Sequence, residues 1–510
     1  MKKLLSIILI VAVIGGIFEP VAVVAQETAP AAVAKESVDE AINRVFAPWT
    51  KRIFDIIFFK VPFIKIGEEE KQIPFILVWL AGAGLFLTFY FKFINLRSWK
   101  LGLQTIRGKF SSPDDPGEIS HFRALSTALS ATVGLGNISG VAMAIATGGP
   151  GATVWMILVG LLGMTTKFAE CTLGVKYRDI DENGEVAGGP MKYLTKGLAE
   201  RGLGPLGTTL AYIFAFLCVG ASLGGGNMFQ VNQATQQFVN VTGLFVGREW
   251  IFGLIVAVIV GVVIIGGVVR IAAVTSKLVP IMCGIYVIAA LVILLMNFTK
   301  IPEAVGIIIS SAFAPKAVAG GLIGVMLIGI QRAVFSNEAG IGSAPIAHSA
   351  ARTKNPASEG IVALFEPFID TVVVCTMTAL VIVITGTYTN PDGLNGVELT
   401  STAFDGVIPG FRYILSLAVI LFAFSTLISW SYYGLQAFKF LFGNSRTVDL
   451  IFKVMFCIFV VIGAPLTLTA VTDFSDGMLL GMCFPNLIGV FILLPVVKKE
   501  LAKYLEITKE

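Results

Sequence analysis

The stretch ATVGLGNISGVAMAIATGGPG, residues 131–151, places several glycines and the polar residues Thr132 and Asn137 inside an apolar run. Glycine weakens a helix by about 1 kcal/mol relative to alanine, and backbone groups released from a helix cannot face lipid. A second apolar run is interrupted in a comparable way by QRAVFSNEAGIGSAP, residues 331–345. Two interruptions at corresponding positions predict two broken transmembrane helices that form a ligand site.

Close helix packing is a second interpretation of these glycines, because Gly136 and Gly140 form a GxxxG pattern. The matched positions of the two interruptions favour broken helices over packing alone. A dinucleotide-binding loop is excluded, because the spacing is G-x-G-x-x-x-G and no strand precedes it.

The composition is that of a polytopic membrane protein. The 510 residues are 55% hydrophobic and 14% charged, with a mean hydropathy of +0.84, well outside the soluble globular range. A net charge of +4 gives no basic stripe, so nucleic acid is excluded as a partner and a lipid bilayer is expected. The six cysteines lie in apolar runs without a CxxC pair, which argues against a metal site or a disulfide framework.

Eleven apolar runs are long enough to cross a bilayer. They lie at 74–96, 124–150, 153–175, 207–240, 250–269, 278–298, 320–347, 359–386, 411–442, 448–470 and 474–497. With the first one set aside, five helices followed by five of opposite direction predict two inverted repeats, residues 120–300 and 318–498. Residues 72–110 form the extra helix and a basic loop, and residues 499–510 form a cytoplasmic tail.

The N-terminal region has the pattern of a targeting segment. Residues 1–25 combine Lys2 and Lys3 with a short apolar core and a small-residue end, which predicts a cleaved signal peptide, with a retained helix as the alternative. Residues 26–71 are then extracytoplasmic and are expected to lie along the membrane surface.

The basic residues indicate the orientation of the helices. Lysine and arginine recur in every second loop, whereas the loop at 387–410 has none. Because basic loops stay in the cytoplasm, we expect an all-α multi-pass protein of the bacterial cytoplasmic (inner) membrane, with the mature N-terminus outside and the C-terminus inside. The basic segment 35–71 conflicts with this topology.

A helix broken at mid-membrane presents N–H groups at one half-helix and carbonyl groups at the other, which gives an anion site beside a cation site. A zwitterion and a metal ion fit that pair. Asn137 can add a neutral side-chain oxygen for a hard cation. The alternative role for Asn137 is to cap the second half-helix.

Five motifs resemble the alanine/glycine:cation symporter family, also called the sodium:alanine symporters. They are, in order, VGLGNISGVAMAIATGGPGA, GGPMKYLTKGL, SNEAGIGSAPIAHSAA, EPFIDTVVVCTMTALVI and FSTLISWSYYG. The resemblance runs from about residue 72 to the last helix. It implies a leucine-transporter-type fold with 11 transmembrane helices in the mature chain. It also implies sodium-coupled import of a small neutral amino acid, alanine or glycine, by alternating access, and no enzymatic activity.

The resemblance assigns site residues to both interruptions and to two further helices. For the substrate these are Thr132, Gly134, Gly136, Gln230, Phe335, Ser336, Thr426 and Trp430. For sodium they are Asn137, Ser425 and Thr426, together with backbone carbonyls near Thr132 and Val133. Apolar packing is the alternative for Phe335, and hydroxyls that bond back to their own helix are the alternative for the serine and threonine residues.

Four acids lie within the predicted helices, where a carboxylate is costly and usually functional. They are Glu170, Glu338, Glu366 and Asp370. Glu338 directly follows the second interruption, and proton coupling would require one of these acids to titrate.

The residues beside the expected pocket leave the substrate open. Leu135, Ser429 and Leu435 depart from the residues common in the family. Proton coupling, a different amino acid such as glutamine, and a non-transporting sensor or channel on the same scaffold remain alternatives. An intramembrane enzyme is discounted, because the two histidines, His121 and His348, are not placed to activate a serine.

Overall fold

The computed structural model describes residues 37–66, 69–182, 184–314, 321–389 and 393–508. The predicted signal peptide, residues 1–25, lies outside this range. The described chain is mostly helical and contains two short antiparallel hairpins.

The elements that precede the first interruption form an N-terminal group. In chain order they are α1 (Val38–Ile57), β1 (Lys60–Ile66), β2 (Glu69–Pro74), α2 (Phe75–Tyr90), α3 (Ile94–Arg97) and α4 (Trp99–Ile106). A capping box of Ser37 and Glu40 begins α1, because each side chain bonds the other residue's backbone N–H.

The next group surrounds the first interruption. It comprises α5 (His121–Thr132), α6 (Val141–Gly148), α7 (Ala152–Lys176), β3 (Asp179–Ile180), β4 (Val186–Ala187), α8 (Pro190–Lys192), α9 (Leu198–Glu200), α10 (Gly204–Leu223), α11 (Phe229–Thr242), α12 (Trp250–Ile264), α13 (Gly267–Met296) and α14 (Ile301–Ala312). Single π-helical turns occur at Gly136–Gly140, Tyr193–Gly197 and Gly224–Met228. Such turns are frequent at functional sites.

The last group surrounds the second interruption. It comprises α15 (Gly321–Asn337), α16 (Ala344–His348), α17 (Pro356–Ala363), α18 (Phe365–Pro367), the π-helical segment Phe368–Cys375, α19 (Thr376–Ile384), α20 (Val397–Asp405), α21 (Phe411–Phe442), α22 (Arg446–Gly463), α23 (Leu468–Gly481) and α24 (Cys483–Ile507). Short 3₁₀ turns lie at Phe298–Lys300 and Thr387–Thr389.

The helices confirm a polytopic all-α membrane protein. Within the described residues, six helices are long and apolar enough to cross a membrane, and the bent pair α5–α6 would make a seventh. Helices α2, α12 and α15 are apolar but shorter. The count of eleven spans and the inverted repeats stay predictions.

Both predicted interruptions are present. Helices α5 and α6 are bent by 49° at the first. At the second, α15 ends at Asn337 and the chain turns through positive φ at Glu338 (59°), Gly340 (90°) and Gly342 (84°) before α16 begins. Glycine is needed at residue 342, because an added Cβ would lie 2.8 Å from both Asn486 and Pro190 side chains and the φ is left-handed.

The interruptions lie at the centre of the molecule. Every residue from 124 to 142 and from 332 to 351 is buried. Helix α7 packs against α15, α16 and α17 and so lies beside the second interruption. The site that the sequence predicts is therefore surrounded by protein on all sides in this structure.

Helix α1 packs along α23. Asn43 of α1 donates to the carbonyl of Pro465 and accepts from the backbone N–H of Thr467, both at 2.8 Å. Val38 and Val45 of this helix are exposed, as is the ion pair of Lys51 and Asp55. The predicted surface segment thus has one face on the helical core.

Candidate functional site

In each break, an asparagine side chain accepts a hydrogen bond from a nearby backbone N–H. At the first, the N–H of Gly134 donates to Asn137 Oδ1 at 2.9 Å, and at the second the N–H of Ala339 donates to Asn337 Oδ1 at 3.0 Å. Both asparagines are completely buried. The oxygen of Asn137 therefore bonds to a residue that precedes it in the break, and the second half-helix begins without a side-chain cap bond. The sodium ligation by Asn137 stays a prediction.

Two adjacent residues of the segment Phe368–Cys375 receive the amide groups of both asparagines. Asn137 Nδ2 donates to Asp370 Oδ1 at 2.6 Å and to the carbonyl of Asp370 at 3.0 Å. Asn337 Nδ2 donates to Thr371 Oγ1 at 3.0 Å, and that hydroxyl donates to Asp370 Oδ2 at 2.6 Å. The adjacent residues Asp370 and Thr371 thus connect the two broken helices by hydrogen bonds.

Ser336 brings the second break directly onto Asp370. Its hydroxyl donates to Asp370 Oδ2 at 2.9 Å. An added Cβ on Gly136 would lie 3.2 Å from Ser336 Cα, so the glycine permits the close approach of the two breaks. Asp370 was one of the four acids noted in the sequence but was not among the predicted site residues. Its signal was a carboxylate within the apolar run EPFIDTVVVC.

Gln230 and Thr426 contact the first break from two other helices. Gln230 Oε1 accepts from the N–H of Leu135 at 3.1 Å, and its Nε2 donates to the carbonyl of Gly225 at 2.8 Å. A Cβ on Gly134 would collide with Thr426 Oγ1 and would lie 3.1 Å from Gln230 Oε1. Gly134 therefore lies against both Thr426 and Gln230, and all three are predicted substrate residues.

Aromatic rings cover the second break. The Phe335 ring packs edge-on against Phe229 with centroids 4.9 Å apart, and the Arg332 guanidinium lies 5.2 Å from its centroid. Trp430 Nε1 donates to Glu338 Oε1 at 2.9 Å. The acid that follows the break is thereby tied to a predicted substrate residue.

Apart from Asn137, the residues predicted to bind sodium lie where α5 meets α21. Ser130 Oγ donates to the carbonyl of Ser425 at 2.8 Å, and Thr426 Oγ1 donates to the carbonyl of Ser130 at 3.0 Å. The hydroxyls of Ser425 and Thr132 bond back to carbonyls of their own helices at 2.9 and 3.2 Å. Val133 leaves the helical conformation with ψ of 83°, which directs its carbonyl away from the helix axis.

The polar face of α11 extends from this site toward solvent. Gln233 Oε1 accepts from the N–H of Val397 at 3.0 Å, and Gln237 Nε2 donates to Ser401 Oγ at 3.0 Å. Gln237 also lines a polar cavity of about 420 Å³ that includes Arg412. The glutamines therefore connect the first break with an open cavity.

The profile of the sodium:alanine symporter family matches residues 62–510. The chain belongs to the sodium:alanine symporter family. The chain is 42% identical to the sodium/alanine symporter AgcS of Methanococcus maripaludis over 439 residues, which cover 86% of this chain and 95% of AgcS. It is 34% identical to the "Probable sodium/glutamine symporter GlnT" of Bacillus subtilis, over 86% of this chain and 90% of that protein. Its relatives are transporters, and it is a multi-pass membrane transporter.

Among solved structures, the chain is similar to MhsT in complex with L-phenylalanine. The TM-score is 0.48 at 14% identity, and the match covers 75% of this chain and 99% of MhsT. The family match begins at residue 62, so α1 lies outside it.

Proposed function

We propose that this chain is a sodium-coupled importer of small neutral amino acids, with alanine and glycine as first candidates, and that it works by alternating access. The observation that carries the proposal is the pair of asparagines at the two breaks. Asn137 and Asn337 each accept from their own break and donate to Asp370 or Thr371. A ligand that moves one break must therefore also affect the other break, through Asp370 and Thr371.

The substrate would occupy the space between the breaks and α21. Backbone N–H groups at Gly134 and Gly136 suit a carboxylate, because the N-terminal end of the second half-helix carries partial positive charge. The Gly134 N–H would exchange its bond to Asn137 Oδ1 for one to the substrate. Thr426 leaves no room for a Cβ on Gly134, and Phe335 forms an apolar wall, so the space favours a small side chain. The hydroxyls and amides around it are neutral, which suits a zwitterion.

Sodium, as co-transported substrate, would bind among the oxygens that meet at Asp370. The carboxylate, Ser336 Oγ, Thr371 Oγ1 and Asn137 Oδ1 are hard donors of the kind that hard cations prefer. These oxygens lie beside the substrate space, because Ser336 faces Gly136. We further propose a second ion between Ser425, Thr426 and the carbonyls of Thr132 and Val133.

The proposal includes the membrane arrangement predicted from the sequence. Eleven helices would form one extra span and two inverted repeats, residues 120–300 and 318–498, in the bacterial inner membrane. The distribution of the basic loops supports a cytoplasmic C-terminus and a mature N-terminus outside. The presence of one break in each proposed repeat supports the internal symmetry.

Uptake of labelled alanine into proteoliposomes tests the proposal. We expect accumulation above equilibrium under an inward sodium gradient and no accumulation when the gradient is dissipated with a sodium ionophore. A proton gradient at equal sodium on both sides is the matched control. Equilibration of alanine without accumulation would refute coupled transport, since a channel or sensor cannot concentrate its ligand.

Glutamine is the second candidate substrate, because GlnT is a relative of similar coverage. Unlabelled glutamine, glycine and alanine should be compared as competitors of the same uptake. We expect alanine and glycine to compete at lower concentrations than glutamine. The opposite order would assign the site to the larger amino acid.

A further inference from the structure

The ends of the two broken helices that lie farthest from the breaks are joined by backbone pairing. Residues 116–119 precede α5, and residues 350–353 follow α16. The N–H of Ile119 donates to the carbonyl of Ala350 at 3.1 Å, and the N–H of Arg352 donates to the carbonyl of Ile119 at 2.7 Å. These parallel hydrogen bonds form a short ladder on one side of the membrane domain.

Arg178, two residues beyond the end of α7, donates hydrogen bonds to both strands of this ladder. Its Nη1 donates to the carbonyls of Ser349 and Ala351, both at 2.6 Å. Its Nη2 donates to the carbonyls of Pro116 and Thr353 at 2.7 and 2.9 Å. One guanidinium thus satisfies four carbonyls, with at least one on each side of the ladder.

Both histidines of the chain converge on one carboxylate beside the ladder. His121 is the first residue of α5, and His348 is the last residue of α16. Nδ1 of His121 contacts Oε2 of Glu359, and Nδ1 of His348 lies 2.6 Å from Oε1 of the same residue. All three side chains are buried. The Glu359 carboxylate therefore contacts one residue from each broken helix.

The contacts continue into a buried ionic network. His348 Nε2 lies 3.5 Å from Glu366 Oε2, and Lys167 Nζ donates to Glu366 Oε1 at 2.9 Å. His348 therefore faces a carboxylate at each of its ring nitrogens. Buried ion pairs can often be replaced by apolar residues without loss of stability, whereas intramembrane ionisable residues are functional by default.

Glu359 is carried by a helix that packs closely on α7. Gly360, its neighbour on α17, lies so close to α7 that an added Cβ would be 2.6 Å from the carbonyl of Phe168. This close packing favours Glu359 as the stationary partner of the contact and the two histidines as the partners that separate from it.

We propose that Glu359 is a positioning residue that, with the ladder and Arg178, clamps the two broken helices together on this side, and that the clamp must release before the site opens there. The inference rests on the proposed alternating access. It goes beyond substrate and ion binding, because neither histidine contacts the residues assigned to the substrate. The ends of α5 and α16 cannot separate while both remain bonded to one carboxylate.

Labelling of Cys171 by a water-soluble maleimide tests the clamp without transport. Cys171 is completely buried on α7 and packs with Ala344, the first residue of α16. In purified full-length protein, Glu359→Gln should increase the labelling rate of Cys171 by about tenfold, which corresponds to about 1.4 kcal/mol in the opening equilibrium. Asp55→Asn removes the carboxylate of an exposed ion pair and should leave the rate unchanged.

Cys218 distinguishes release of the clamp from general unfolding. It is equally buried but lies on α10 against the carbonyl of Tyr433. Residue-resolved mass spectrometry should show faster labelling at Cys171 alone. Equal acceleration at both cysteines would assign Glu359 a merely structural role and would overturn the proposal.

Two further variants decide the question if Glu359→Gln does not fold. Gly117→Ala weakens the ladder without a change in charge, because Gly117 has φ of 136° and an added Cβ would lie 2.7 Å from the carbonyl carbon of Ala351. His121→Asn releases one of the two helices. Both should accelerate labelling of Cys171, and unchanged rates in both would refute the clamp. Faster labelling in a protein without sodium-driven alanine uptake would instead refute only the proposed function.

Discussion

The substitution Asp370→Asn is expected to raise the sodium concentration for half-maximal uptake by about 10- to 100-fold. Asparagine keeps one acceptor oxygen but replaces Oδ2, which now accepts from Ser336 Oγ at 2.9 Å and from Thr371 Oγ1 at 2.6 Å. A hydrogen bond to a charged acceptor contributes about 1.5–3 kcal/mol, and each 1.4 kcal/mol is a factor of ten. The loss of one charged contact of that strength from the sodium ion gives the stated range.

The assay is alanine uptake into proteoliposomes as a function of external sodium. Maximal uptake should change less than the half-saturating sodium concentration, because the lost interaction binds the ion rather than the amino acid. Asp55→Asn supplies the same chemical change at an exposed position and is the control. A wild-type sodium dependence in a folded Asp370→Asn protein would remove this carboxylate from the ion site.

Three other outcomes follow from the structure. Asn137→Ala should also raise the sodium concentration for half-maximal uptake and lower the affinity for alanine, because the first break loses its internal hydrogen bond. An unchanged sodium dependence in the same uptake assay would remove Asn137 from the coupling site. Gly134→Ala should abolish alanine binding through collision with Thr426, and Thr426→Ala in the same chain should restore part of it in an equilibrium binding measurement. Burial, together with the facing Glu249 carboxyl, raises the pKa of Asp39 from 3.8 to about 6. Because the docked pKa is the higher one, attachment of α1 should be strongest below about pH 4 and weaken as the pH rises to about 6, as measured by limited proteolysis, and Asp39→Asn should abolish that dependence.

The positions of the two breaks could be predicted from the sequence because their signals are local. Glycines and asparagines inside apolar runs are unfavourable for a plain transmembrane helix, and both runs do break in the structure. Gln230 contacts the first break, but it was assigned to the substrate site by the family resemblance. Local composition was thus enough to locate the two breaks, one helix at a time.

The partners of those residues could not be predicted, because they depend on contacts between distant segments. Asp370 lies 233 residues from Asn137 along the chain, and the apolar run around it gives no sign that it winds as a π-helix. Nothing in the spacing of His121 and His348 indicates a shared carboxylate. Such convergences arise from the packing of α7, α17 and the two broken helices, which no local pattern contains.

The peptide unit between Asp370 and Thr371 has a thermodynamic consequence for the transport cycle. Each residue holds one break, so the free energy that an ion spends in ordering the first break lowers the cost of ordering the second. Linkage requires the effect to be reciprocal: sodium must raise the affinity for the amino acid by the same factor as the amino acid raises the affinity for sodium. Titration of each ligand at saturating and zero concentrations of the other would measure that shared factor, and a change at residue 371 that alters the factor must alter it equally in both titrations.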